Sequence, residues 1–191
     1  MLRFSRLFRL YGVTYRAHWS LALLLLVVPA FPLGVPLYLA LVLAHEHGHG
    51  FFVRRCGGVV ESIDLHFLGG LCRYRGSMGP RESAIIAWGG IIAQLVILFL
   101  AGPPLLSTEV EGDPVKMQVF GVLVGLNTMS IMTNLLPIPS LDGWQAWRLL
   151  PMWWKDRAGA AKTRPVAKRK REVKGTVVDF EQERARRNDV Q

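Results

Sequence analysis

The sequence is short of acid and nearly free of cysteine. Fourteen Asp and Glu face 23 Lys and Arg over 191 residues, and the two cysteines are Cys56 and Cys72. With no Cys-x-x-Cys spacing, these read as ordinary reduced thiols rather than a redox pair or a disulfide framework. No internal repeat is apparent, and charged residues make up only 19% of the chain. What is present is apolar: 51% of the residues are hydrophobic, and they come in blocks. The net charge of +9 is uneven, because residues 152–191 carry 12 basic and 6 acidic side chains, leaving +3 for the first 151. That division suggests a membrane-surface segment over residues 1–17, an apolar core over 18–150 and a basic tail over 151–191.

A membrane helix needs about 20 mostly apolar residues. Four stretches come near this: His18 to Phe31, which is short, Val35 to Val53, Glu82 to Leu100, and Phe120 to Leu141. Basic residues ahead of the first could mark a cleaved signal peptide, but no small-x-small site follows before Pro32, which favours an uncleaved anchor. Arg3, Arg6 and Arg9, interleaved with Phe4, Leu7, Phe8 and Leu10, suit a short helix on an anionic membrane surface; a merely solvated leader fits as well. Lys and Arg counts put the N-terminus, the segment from Arg54 to Arg81 and the tail on the cytoplasmic side. The acidic segment around Glu109, Glu111 and Asp113 then lies outside. The expected fold is an all-α polytopic membrane protein of about four transmembrane helices, with a small cytoplasmic β-hairpin or loop after the second. Both termini are expected in the cytoplasm, and the tail's AKRKREVK run is expected to be mobile and to rest on anionic lipid or a partner.

Inside the second block the sequence reads LVLAHEHGHGFFVRRCG. Ionisable residues in a spanning helix are costly and commonly functional. His45 and His49 are four residues apart, about 6 Å along a helix and on one face, which suits one metal held by two imidazoles with Glu46 beside it as general base. His47 points to another face and is not counted as a ligand. A buried polar cluster is the competing reading. The fourth block offers a third ligand in LNTMSIMTNLLPIPSLDGWQAW, where Pro137 and Pro139 break the helix and Asp142 follows on irregular backbone.

Together these residues resemble the site-2 protease family of intramembrane zinc metalloproteases (peptidase M50). The resemblance rests on HEHGH at 45–49 and NLLPIPSLDG at 134–143, and extends weakly over residues 18–150. It implies one zinc per chain on His45, His49 and Asp142, with Glu46 as the catalytic residue activating a zinc-bound water. It implies a substrate that is a single-pass membrane protein or a signal-peptide remnant, in the cell membrane of a prokaryote; membrane lipids are the other partners, and no nucleic acid is expected. LHFLGGLCRYRG places Gly69 and Gly70 where the family carries a Gly-Gly, and these could form an edge that captures unwound substrate, or an ordinary hairpin. Asn134 could hold substrate or cap the broken helix. The sequence departs from the family's Ala-Gly-Pro-x-x-Asn stretch, with Gly90 and Ala93 standing for the Pro and Asn and Gln94 adjacent. A membrane metal-binding or metal-transport protein without hydrolysis is the alternative. Trp144, Trp147, Trp153 and Trp154 read as interfacial anchors. Gln94 and Asn127 read as bonds between helices, and Gly121 and Gly125 as a face for close packing.

Overall fold

The computed structural model describes residues 4–107 and 109–162. The chain divides into two units, Met1–Lys155 and Asp156–Gln191, and the first holds the sheet and the buried cores. The AKRKREVK run lies outside the described residues.

Residues expected as a surface helix are instead a β-hairpin. Strands β1 (Phe4–Leu10) and β2 (Val13–His18) pair antiparallel across a turn in which Tyr11 and Gly12 both take positive φ, 46° and 82°. Alternation decides this: Val13 and Tyr15 point to one face and are buried, at 4% and 7% exposure, while Thr14 and Arg16 point to the other. Strands β3 (Val59–His66) and β4 (Gly69–Arg75) form the second hairpin, and β2 joins β3 in parallel, giving a sheet of order β1-β2-β3-β4. A parallel pair needs a long crossover. It is supplied by a 3-10 helix over Trp19–Leu26 and by helix α1 (Gly34–Arg55).

This sheet overturns the all-α expectation, and so does the count of membrane helices. Among the described residues two helices are long and apolar enough to cross a membrane, Pro80–Leu106 and Pro114–Leu135. The first apolar block yields an eight-residue 3-10 helix, about 16 Å long at 2 Å per residue and well short of a bilayer core of about 30 Å. Helix α1 has the length, at 22 residues, but its second half spends its positions on HEHGH and arginine, so no sufficient apolar window remains. The expected cytoplasmic hairpin is therefore only the second half of a four-stranded sheet.

Helix α2 runs over Pro80–Leu106. The span Pro114–Leu135 comprises α3 (Pro114–Phe120), a π-helical stretch over Gly121–Leu126 and α4 (Asn127–Leu135). Short α5 (Asp142–Ala146) and α6 (Leu149–Lys162) follow. One core joins the sheet to the first two helices through Val13, Tyr15, Ile63, Leu65 and Cys72 packed with Val53 and Ile86. A second joins α2, α4 and α5 through Ala87, Ile91, Ile131 and Ala146. Helices α1 and α2 cross with backbones almost touching: a Cβ on Gly48 would sit 2.3 Å from the Gly89 carbonyl oxygen, and one on Gly89 would sit 2.4 Å from that of Gly48. By contrast, nothing lies within 4 Å of a Cβ placed on Gly121 or Gly125, so the close-packing face expected there is not used among the described residues.

On the sheet's other face Arg16, Asp64 and Arg73 form a three-strand network. The Arg16 guanidinium donates to both Asp64 oxygens at 2.6 and 2.7 Å, and Arg73 Nε donates to one at 2.6 Å. Burial alone would raise the Asp64 pKa, but hydrogen bonds from Arg16, Arg73 and Ser62 outweigh it and hold the carboxyl below its usual range.

Candidate active site

Helix α1 places His45, Glu46 and His49 in one buried patch; their exposures are 8%, 4% and 8%. Helix α4 ends at Leu135, the Pro137–Pro139 segment turns the chain back, and Asp142 opens α5. Two indole N–H groups hold the turn, one from its own far end and one from α2. Trp147 Nε1 donates to the Leu135 carbonyl at 2.6 Å, and Trp88 Nε1 donates to the Ala146 carbonyl at 3.0 Å. Trp147, expected as an interfacial anchor, thus caps the end of α4; Trp144 and Trp154 are exposed, at 47% and 72%.

The result is a tight triangle. Asp142 Oδ2 is 3.0 Å from His45 Nε2 and 3.2 Å from His49 Nε2, and the two Nε2 atoms are 3.0 Å apart. The tautomers follow from the other ring nitrogens. His49 Nδ1 lies 2.8 Å from the Ile86 carbonyl, which can only accept, and His45 Nδ1 lies 3.0 Å from Gln94 Oε1. Both Nδ1 atoms are therefore donors, and in the neutral rings both Nε2 atoms carry lone pairs. Two such lone pairs and a carboxylate oxygen facing one another at these distances repel unless a cation lies among them. Ligands at about 2.0–2.2 Å from a tetrahedral zinc sit about 3.3–3.6 Å apart, a little wider than the triangle seen. The donor set fits zinc.

These atoms line a cavity of about 870 Å³ together with Glu46, Gly69, Gly70, Asn134 and Ser130. Gly70 lies flat on the Glu46 carboxyl, where an added Cβ would fall 2.8 Å from Oε1, so β4 passes directly beside the glutamate. Asn134 Nδ2 reaches Ser130 Oγ at 3.5 Å. Cys72, next along β4, is buried, and burial with the nearby Glu46 charge pushes its thiol up to about 12, which leaves it protonated and inert. His47 stands away from the triangle. Its Nδ1 donates to the Leu43 carbonyl at 2.6 Å, and Nε2 accepts from the Tyr15 hydroxyl at 2.9 Å, fastening the first hairpin to α1.

Two contributors to the site are not recognisable as such in the sequence. Gly90 would put a Cβ 2.6 Å from the Nε2 atoms of both histidines, so the imidazoles rest against bare backbone. Gln94, 2% exposed, accepts from His45, and its Nε2 donates to Ser130 Oγ at 2.9 Å. Asn127 Nδ2 in turn donates to the Gln94 backbone carbonyl at 3.0 Å. The only sequence signal is the i, i+4 spacing of Ile86, Gly90 and Gln94, one stripe of α2.

A family model described as Peptidase M50B-like matches residues 17–163. The fold is similar to that of the Site-2 Protease from Methanocaldococcus jannaschii, at 20% identity and a TM-score of 0.58, over 85% of this chain and 74% of that one. No curated protein matches. With most of its length under one family description, the chain belongs to the M50B-like peptidases, the membrane metalloproteases of the site-2 protease family.

Proposed function

We propose that this chain is an intramembrane zinc metalloendopeptidase that hydrolyses a peptide bond in or near the transmembrane segment of a membrane protein. The observation that carries the reading is the triangle of His45 Nε2, His49 Nε2 and Asp142 Oδ2 at 3.0–3.2 Å, opening on the cavity that Glu46 also lines. Those three side chains hold the zinc. When bound, the metal supplies a Lewis acid and makes a nearby water more acidic.

The remaining steps belong to the protein. Glu46 takes a proton from the attacking water as its oxygen adds to the scissile carbonyl carbon. It then returns that proton to the amine nitrogen as the C–N bond breaks, leaving a carboxylate and an amine. A helical substrate has its amides paired and must unwind first. Strand β4 lies at the end of the sheet order, so an extended segment adding to it would run past Gly69 and Gly70 and reach Glu46. Asn134, on the cavity wall, holds substrate backbone through its amide. The basic ends of α1 and α2, at Arg54, Arg55 and Arg81, lie on the cytoplasmic side, opposite Glu109 and Glu111.

The test separates metal from chemistry on the same detergent-purified variants. Glu46→Gln keeps about one zinc per chain and loses cleavage, because the amide preserves shape but not basicity. His49→Ala and Asp142→Ala lose both. Full activity in Glu46→Gln overturns the mechanism, and unchanged zinc in Asp142→Ala removes that residue from the metal.

A further inference from the structure

We infer that Gln94 is the positioning residue that sets His45 for the metal, through a stripe of α2 built to hold both imidazoles. Three successive positions of that stripe meet the histidine pair. The Ile86 carbonyl takes the His49 Nδ1 hydrogen, Gly90 provides the flat floor under both rings, and Gln94 Oε1 takes the His45 Nδ1 hydrogen. Because α1 and α2 nearly touch at Gly48 and Gly89, this stripe can approach the rings no differently.

The two histidines are held unequally. His49 is oriented by a main-chain carbonyl, which no side-chain substitution removes. His45 depends on one side chain. Gln94 is 2% exposed, and its amide is itself fixed, because Nε2 donates to Ser130 Oγ at 2.9 Å and so leaves Oε1 turned toward His45. Asn127 adds a bond to the Gln94 backbone at 3.0 Å. Ser130 of α4 thereby holds the amide that holds the imidazole, and the turn after α4 carries Asp142. A hydrogen bond of this kind fixes the tautomer and ring angle and raises ligand basicity, and its loss typically costs 10–100-fold in metal affinity. Gln94 thus does from α2 what no feature of the HEHGH run can do for itself.

The inference rests on the zinc reading, and the experiment distinguishes the failure of each. Zinc affinity is measured by chelator competition on full-length protein in detergent, for wild type, Gln94→Leu and Gln94→Glu, with the visible spectrum of the cobalt-loaded forms as a second readout. Gln94→Leu, which keeps bulk but removes the acceptor, is expected to bind zinc about 10–100-fold more weakly and to alter the cobalt spectrum. Gln94→Glu keeps an acceptor and is expected to bind within about threefold of wild type. Should the leucine variant fail to fold, Ser130→Ala in the otherwise wild-type chain decides, since freeing the Gln94 amide predicts a several-fold weaker site. Wild-type affinity and spectrum in the leucine variant, or in Ser130→Ala where leucine does not fold, overturn the role of Gln94. A wild-type protein that binds no zinc overturns the zinc reading instead.

Discussion

The two sides of the site are built differently. The histidine side rests on the α1–α2 crossing, where Gly48 and Gly89 bring backbones into contact and the sheet packs behind. The aspartate side hangs from the Pro114–Leu135 span, where Gly121 and Gly125 face open space and a π-helical stretch interrupts the helix, and from the Pro137–Pro139 turn that follows it. Glycine thus has two meanings within one chain: at 48, 89 and 90 its missing side chain is the contact, and at 121 and 125 it is merely tolerated. Two ligands are thus preset by rigid packing, while the third is delivered by a turn that depends on the Trp147 and Trp88 bonds.

The contrast is broken most severely at Gly48. Its Cβ would fall 2.3 Å from a backbone oxygen, which cannot rotate away, so Gly48→Ala must separate the helices at a cost of about 3 kcal/mol or more. Thermal unfolding in detergent is expected to drop sharply and zinc to be lost. A wild-type melting temperature with full zinc would show that the crossing is not tight.

The sheet behind the histidines supplies the next test. Asp64 is fully buried between Arg16 and Arg73, which are themselves 32% and 49% exposed. Asp64→Asn is expected to destabilise by roughly 2–3 kcal/mol, discounted for that exposure from the larger cost of breaking a fully buried pair. Since the folded carboxyl is held below its ordinary pKa of about 4, its contribution is complete above that pH and is lost as pH falls through the lower folded value. Denaturant midpoints of wild type and Asp64→Asn should therefore differ at pH 7 and converge below about pH 4. A constant gap down to pH 3 would remove the ion pair as its source.

On the aspartate side the effects are smaller. Trp147→Phe removes the N–H that caps the Leu135 carbonyl and is expected to cost about 1 kcal/mol, with zinc affinity falling more than stability does because Asp142 sits at the end of that turn. The smallest effect is at Gly125. With nothing within 4 Å of an added Cβ, Gly125→Ala is expected to be neutral or stabilising by up to about 1 kcal/mol through helix propensity. Clear destabilisation there would mean that this face is covered by something outside the described residues.

Part of this is legible without coordinates. A four-residue spacing on a helix fixes two side chains on one face by local geometry alone, so His45 and His49 can be paired from the sequence, with Glu46 between them. Asp142 can be named because two prolines followed by Asp-Gly announce a break that presents a carboxylate. The segment from Arg3 to Leu10 misleads because arginine at every third position among apolar residues suits a surface helix, while the core that Val13 and Tyr15 enter is shared with β3, more than 40 residues away. Gln94 reads only as a bond between helices, because nothing in its own neighbourhood shows which side chain it meets.

The reactive groups and their local spacing follow from residue type and helical period, which are properties of short stretches of chain. It took the packing of distant elements to make Ile86, Gly90 and Gln94 the bed for the two imidazoles, to bring β4 past Glu46 at Gly70, and to give His47 the Tyr15 hydroxyl as its partner. Those contacts join residues distant in the chain, and their existence depends on how closely two helices and a sheet can approach, which no local pattern encodes.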